Sequence, residues 1–243
     1  MKYALVTGGS RGIGRAICLQ LARDGYSVII NYKSNHDAAN ETLRMIEKEG
    51  GRAELLPFDV ASPDAINTAL SQWEQAHKDD YVEVLVNNAG ITRDNLFLDM
   101  DHEDWHSVID TALNGFYYVT RSVLPEMVIH HNGRIINMSS MAGVYGNKGQ
   151  VNYAVAKAAL VGATKSLAQE VAAKGITVNA IAPGVINTKI NSDKTIAMAE
   201  SHTPIHRAGK TGEVADLVSF LVSNKASYIT GQVIGIDGGG WCV

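Results

Sequence analysis

The chain has 243 residues, 46% of them hydrophobic, which is enough apolar material for the core of one α/β domain. Its 21 Lys and Arg stand against 25 Asp and Glu, a formal charge of −4, so no global field draws it to nucleic acid or to anionic lipid. Two cysteines, Cys18 and Cys242, exclude a disulfide framework, and no apolar run reaches the roughly 20 residues that span a bilayer; the expectation is a cytoplasmic protein with neither a nucleic-acid nor a membrane partner.

From the amino end, short apolar runs recur between longer amphipathic stretches: Ala4-Leu5-Val6, Val28-Ile29-Ile30, Val84-Leu85-Val86, Arg134-Ile135-Ile136-Asn137, Thr177-Val178-Asn179-Ala180-Ile181 and Val233-Ile234-Gly235-Ile236. Continuous apolar strands alternating with helices predict a parallel sheet covered on both faces through right-handed crossovers, a doubly wound α/β domain over residues 1–243. Ser62-Pro63-Asp64 reads as an N-cap with Pro at the first helical position, and Asp101 with Glu103-Asp104 puts negative charge at another helix start. His130-His131 before Asn132-Gly133 reads as a helix end and turn. Residues 188–207 lack a clean period and mix small, polar and Pro residues, which predicts a mobile substrate lid over the carboxyl ends of the strands.

Thr7-Gly8-Gly9-Ser10-Arg11-Gly12-Ile13-Gly14 follows the first strand and opens a helix whose apolar residues fall at Ile13, Ile17, Leu21 and Ala22. A glycine-rich turn in that place lets backbone amides and a helix N-terminus meet a pyrophosphate. At the next strand end, Asn31-Tyr32-Lys33-Ser34 offers no carboxylate for ribose hydroxyls, whereas Arg11 and Lys33 suit a 2′-phosphate, which points to NADP(H).

Tyr153 and Lys157 stand at i and i+4, so an ammonium sits near a phenol. A phenol titrates near ~10, and a neighbouring cation together with an oxidised nicotinamide favours the phenolate, bringing Tyr153 toward acid/base strength. Ser140, just past the strand ending at Met138, is placed to hydrogen-bond the same carbonyl oxygen. Such a pair alone is more often a packed Tyr beside a surface Lys. Tyr145, Asn147 and Gln150 lie between Ser140 and Tyr153, where they serve either substrate contact or loop solvation.

With Asp59-Val60, Asn87-Asn88-Ala89-Gly90-Ile91-Thr92-Arg93-Asp94, Pro183-Gly184 and Tyr228-Ile229-Thr230-Gly231 added in order, the chain resembles the short-chain dehydrogenases/reductases over nearly its whole length. Within them it is similar to the 3-oxoacyl-acyl-carrier-protein reductases and the acetoacetyl-CoA reductases. The resemblance implies a single Rossmann domain, a homotetramer, and NADPH-dependent reduction of a 3-oxoacyl thioester to the 3-hydroxyacyl thioester. It implies cofactor contacts from Gly8, Gly9, Ser10, Arg11, Gly12, Ile13, Gly14, Lys33, Asp59, Val60, Asn88, Ala89 and Gly90. On the nicotinamide side it implies Tyr153, Lys157, Pro183, Gly184, Ile186 and Thr188; the residues expected around the substrate, from their positions in the chain, are Ser140, Tyr145, Gln150 and Tyr153. It also implies acyl-carrier docking through basic residues at His131 and Lys174, one of which is here a mostly neutral His.

One position departs from the family pattern: Ala112-Leu113 stands where Asn-Leu is usual, and that Asn helps hold a water relay to the active-site Lys. Asn114 is rotated by about 200° from position 112 in a regular helix, so it replaces that side chain only if the helix is distorted. The bland reading packs Ala112 between Val108 and Phe116. His102 and His106 have a spacing that can bind metal but no third ligand, so no metal site is expected. Trp241 near the C-terminus is expected at a subunit contact.

Overall fold

Strands buried on both faces need apolar residues throughout, and the computed structural model, which describes residues 1–188, 196, 197, 199, 201 and 203–240, turns each predicted run into a strand, buried in every case but the edge run Val233–Ile236. The elements are β1 (Lys2–Val6), α1 (Gly12–Arg23), β2 (Ser27–Tyr32), α2 (His36–Lys48), β3 (Arg52–Pro57), α3 (Pro63–Ala76) and β4 (Tyr81–Asn87). They continue as α4 (His102–Ile109), a π turn (Asp110–Asn114), α5 (Gly115–Ile129), β5 (Gly133–Met138), α6 (Met141–Tyr145), α7 (Val151–Val171) and β6 (Ile176–Pro183). Short β7 (Ile186–Asn187) and β8 (Gly209–Lys210) pair with each other, and α8 (Thr211–Val222) leads to β9 (Val233–Ile236).

The main sheet is parallel throughout, in the order β3-β2-β1-β4-β5-β6-β9. The order reverses between β1 and β4, and the crevice at their carboxyl ends is where doubly wound sheets bind ligands. Ile17, Leu21, Val214 and Val218 from α1 and α8 cover one face; Ile66, Trp73, Val119, Val123, Met127 and Ala168 from α3, α5 and α7 cover the other. Each Val, Leu, Ile or Met among them contributes roughly 1.5–3 kcal/mol on burial. The expected caps are present: Ser62 Oγ accepts the Ala65 amide at 3.3 Å, and Asp101 Oδ1 accepts the Asp104 amide at 2.7 Å. α5 ends before His130, and His131 takes a left-handed φ of 50° to turn into β5.

β3 had no apolar run to announce it. As an edge strand it leaves Arg52 and Pro57 exposed and half-buries the four residues between them. Of the predicted lid, residues 189–195 lie outside the described residues, as do Trp241 and Cys242; Thr203 to Arg207 are tied to the C-terminal turn, Ile205 N donating to the Gly238 carbonyl at 3.2 Å.

Helix α1 approaches the glycine turn so closely that a Cβ on Gly14 would lie 2.2 Å from the Gly8 carbonyl oxygen and 2.7 Å from Asn88 Nδ2. Gly14→Ala must therefore push α1 off the turn. It is expected to lower unfolding stability by about 1–3 kcal/mol in a urea titration, and an unchanged midpoint would contradict the packing described.

Candidate active site

The site is built where β5 and β6 release their chains. Ser139 donates its amide to the Ile181 carbonyl and its hydroxyl to the Lys157 carbonyl, both at 2.8 Å, which locks the strand end to α7. Ser140 follows in extended backbone as the N-cap of α6, its Oγ accepting the Ala142 amide at 3.1 Å. α6 crosses α7 at Gly143, where a Cβ would stand 2.7 Å from Lys157 Cβ, so the crossing needs glycine. It brings the Ser140 hydroxyl beside the Tyr153 phenol, near enough to lower the phenol pKa. Lys157 lies one turn further along α7, its Nζ 5.6 Å from the centre of the Tyr153 ring.

Lys157 is only 3% exposed. Its Nζ donates to the Met138 carbonyl at 2.6 Å and, among the described residues, pairs with no carboxylate. Burial without a counter-ion pushes its pKa down to about 8. Burial also raises Tyr153, opposed by the Ser140 hydrogen bond and reinforced by the charge of Asp94. Lys157 is not among these influences, so the expected lowering of the phenol by its neighbouring cation is not seen when protein groups act alone.

The cofactor side faces this cluster across the end of β4. Gly8 and Gly12 have φ of 65° and 57°, values that suit glycine, and Arg11 is the exposed residue before α1. Thr7 Oγ1 accepts the amides of Asn88 and Ala89 at 2.9 and 3.0 Å, and Asn88 Nδ2 donates to the Thr7 and Gly8 carbonyls at 2.9 and 3.2 Å. Asn88 therefore holds the turn with its side chain rather than extending it outward. A Cβ on Gly90 would stand 3.4 Å from Lys157 Nζ, so this glycine keeps the floor open beside the ammonium. Thr188 comes within 3.8 Å of the position a Cβ on Gly12 would take, so the predicted cofactor residues from the two ends of the site meet. The bare, backbone-lined cradle fits a pyrophosphate.

At the adenosine end, Lys33 Nζ and Asp59 Oδ2 are 2.6 Å apart, with Lys33 mostly exposed. Burial works against ionisation of Asp59, but Lys33 and the Ala61 amide hold its pKa below the usual range. Asn31 is buried, accepting the Gly8 amide and donating to the Leu56 and Phe58 carbonyls. Val60 is buried against Gly115, while Gly184 packs on Asp237 at the end of β6 beside Pro183. Ile186 is buried, packing where a Cβ on Gly209 would stand.

Gln150, expected at the substrate, and its neighbour Asn147 are joined in one chain of hydrogen bonds. Gln150 Nε2 donates to Asp94 Oδ2 at 2.7 Å, and Asn147 Nδ2 donates to Gln150 Oε1 at 2.9 Å; Tyr145 ends α6 and is 41% exposed. The helix at position 112 is distorted, forming the π turn, but Asn114 is occupied with Asp110 Oδ1 at 2.7 Å and does not replace the family Asn. Ala112 is buried with Val108, as the bland reading has it, but with Ala156 and against Ile91 and Tyr153 in place of Phe116. His102 and His106 lie exposed on α4. Sequence reasoning missed Asn152, fully buried beside Tyr153 and donating to the carbonyls of Arg93 and Asp104. Its only signal is its place next to Tyr153.

A family model described as enoyl-(acyl carrier protein) reductase, one of the short-chain dehydrogenase models, matches residues 8–240. The chain belongs to the short-chain dehydrogenase family. It is 43% identical to the 3-oxoacyl-[acyl-carrier-protein] reductase FabG of Staphylococcus epidermidis over 98% of both chains. Its identity to the 3-oxoacyl-[acyl-carrier-protein] reductase of Synechocystis is 44% over 98% of this chain and 96% of the relative. The FabG of Thermotoga maritima is 43% identical over 98% and 97%. Membership implies a nicotinamide cofactor, and no helix among the described residues is long and apolar enough to cross a membrane.

The unfolded chain keeps a proton on Lys157 up to about pH 10.4, whereas the folded protein releases it near 8, so between these values the unfolded state binds more protons and stability rises with pH. Thermal midpoints of the cofactor-free protein are therefore expected to climb relative to Lys157→Met from pH 8 to pH 10. Parallel curves for the two proteins would contradict a buried, depressed ammonium.

Proposed function

We propose that this protein reduces the ketone of a 3-oxoacyl thioester, carried on acyl carrier protein, to the 3-hydroxyacyl thioester with NADPH. The carrying observation is that Ser140 stands beside the Tyr153 phenol at the end of β5, with the Lys157 ammonium buried one turn behind and 5.6 Å from the centre of the Tyr153 ring. Two neighbouring hydroxyls able to donate to one carbonyl oxygen suit an oxygen that gains negative charge. Tyr153 delivers the proton, Ser140 orients the oxygen, and Lys157 favours the phenolate left behind. NADPH, when bound, supplies the hydride to the ketone carbon. Gly8, Gly9, Ser10, Arg11, Gly12, Ile13 and Gly14 would hold its pyrophosphate, and Lys33 and Arg11 support a 2′-phosphate over free ribose hydroxyls. Asp59, Val60, Asn88, Ala89 and Gly90 line the adenosine and ribose side, and Pro183, Gly184, Ile186 and Thr188 the nicotinamide side.

The relatives named for 3-oxoacyl-acyl-carrier-protein reduction support the ketone over the carbon–carbon double bond in the family model's description. His131 and Lys174 stand at the amino edge of the sheet, where a Cβ on Gly175 would meet the His131 carbonyl at 2.4 Å. The strands between them and Ser140 span about 20 Å, so a carrier docked there would serve another copy's site, in keeping with a homotetramer. Acetoacetyl-CoA needs no such docking and is the alternative substrate. A second reading, a weakly active subunit that complements a partner, is favoured by Ala112 and by His131.

NADPH oxidation is to be followed with acetoacetyl-CoA, a 3-oxoacyl carrier protein and a 2-enoyl thioester. The 3-oxoacyl thioesters are expected to be reduced, Tyr153→Phe to lose about 10²–10⁴-fold in kcat, and Ala112→Asn to stay within several-fold of the natural chain. Turnover of the enoyl thioester alone would overturn the ketone assignment, and activity confined to Ala112→Asn would establish the second reading.

A further inference from the structure

Three cations gather at the outer end of the phosphate cradle, and their surroundings leave them unequal. Arg15 is fully engaged: its guanidinium donates to the Ser10 and Ala38 carbonyls and to Thr42 Oγ1, and pairs with Glu41 Oε2 at 2.7 Å. Lys33 Nζ lies 2.6 Å from Asp59 Oδ2. Arg11, exposed at the N-cap of α1, makes no side-chain hydrogen bond or ion pair among the described residues. Of the three, Arg11 alone keeps an uncompensated charge.

The carboxylate of the second pair is fixed in place. Asp59 Oδ1 accepts the Ala61 amide at 3.0 Å, which holds the side chain on the turn into α3. Behind the pair, Asn31 fastens both strand ends to the glycine turn, accepting the Gly8 amide at 3.3 Å and donating to the Leu56 and Phe58 carbonyls at 3.2 and 3.1 Å. The Phe58 amide donates to the Tyr32 carbonyl at 3.1 Å, and Lys33 and Asp59 are the residues that follow that pairing on β2 and β3. The Lys33 side chain is 71% exposed and can swing aside; the carboxylate cannot.

This arrangement sets a constraint on any anion bound here. A 2′-phosphate close enough to use Lys33 Nζ also comes close to Asp59 Oδ2, and if it draws Lys33 to itself it leaves a bare negative charge beside it. The net charge that Lys33 and Asp59 together present to a phosphate is zero, as is that of Arg15 with Glu41.

We propose that Lys33 favours NADPH over NADH indirectly, by masking the fixed charge of Asp59, and that Arg11 alone of the three cations binds the 2′-phosphate. This rests on the reading that the cofactor is NADPH with its 2′-phosphate at this end of the cradle, and it gives the two cations expected there different parts. NADH, with no phosphate for Asp59 to repel, gains nothing from the mask.

Dissociation constants of NADPH and NADH are to be measured at low salt, from the change in nicotinamide fluorescence on binding. The proteins are the natural chain, Arg11→Ala, Lys33→Ala, Asp59→Asn, and Asp59→Asn combined with each of the other two. Asp59→Asn keeps an oxygen for the Ala61 amide and removes the charge. Arg11→Ala is expected to weaken NADPH about 10–100-fold, with or without Asp59→Asn. Lys33→Ala is expected to weaken NADPH about 3–10-fold while NADH changes less than about twofold, and to have no measurable effect on NADPH once Asp59→Asn is present. A loss of NADPH affinity in Lys33→Ala that persists in the Asp59→Asn background overturns the proposal, because Lys33 then holds the phosphate itself. So does an unchanged NADPH affinity in Lys33→Ala, or an equal loss for NADH, which would mark a structural fault. Equal affinities of the natural chain for the two cofactors would refute the NADPH reading itself, a result visible without any variant, and the proposal would fall with it.

Discussion

A single buried ammonium organises the catalytic end of this molecule. Lys157 has lost nearly all contact with water, and its hydrogen bond runs to the Met138 carbonyl at the end of β5. A carbonyl dipole compensates a charge only in part, so the site holds a cation whose charged form is disfavoured by its surroundings. That tension has a use. In the proposed reaction a phenolate forming on Tyr153 would compensate that charge, and the ammonium would favour transfer of the Tyr153 proton to the ketone oxygen. The rest of the fold serves to keep the ammonium in place: Ser139 ties β5 to the Lys157 carbonyl, Gly143 admits α6 against the Lys157 backbone, and Gly90 leaves its Nζ accessible from the cofactor side.

The same economy of polar groups marks the strand ends. Asn87 Nδ2 donates to Asn137 Oδ1 and Thr120 Oγ1, and Asn137 Nδ2 donates to Thr164 Oγ1, a buried chain linking β4 and β5 to α5 and α7. Thr7 and Asn88 do likewise for the glycine turn. Every such side chain is satisfied within the protein, so the cradle keeps its shape before any ligand arrives, which is what preorganised binding of a pyrophosphate requires. Asn88 in particular spends its amide on the turn, and its influence on a cofactor is through the backbone it fixes.

Much of this was legible in the sequence because the physics is local. Val28-Ile29-Ile30 and Ile135-Ile136 are continuous apolar runs because central parallel strands are covered on both faces, and Tyr153 and Lys157 share a helix face at any i, i+4 spacing. Arg52–Pro57 escaped the apolar pattern because an edge strand half exposes its residues. The π turn at Asp110–Asn114 has no local sequence mark, and it explains why Asn114 turns to Asp110 while Ala112 is left facing Tyr153 and Ile91. The bolt between Gln150 and Asp94 joins residues 56 positions apart, a pairing only the folded chain reveals.

The most direct test of the account is the destination of the hydride. The protein should be given a 3-oxoacyl thioester and NADPH carrying deuterium at the transferable ring position, and the product analysed by mass spectrometry. One deuterium at the carbon bearing the new hydroxyl is the predicted result, since the role proposed for Ser140 and Tyr153 is to meet the oxygen of that carbon. Deuterium placed elsewhere in the acyl chain, or a carbinol formed without label from either face of the ring, would contradict it.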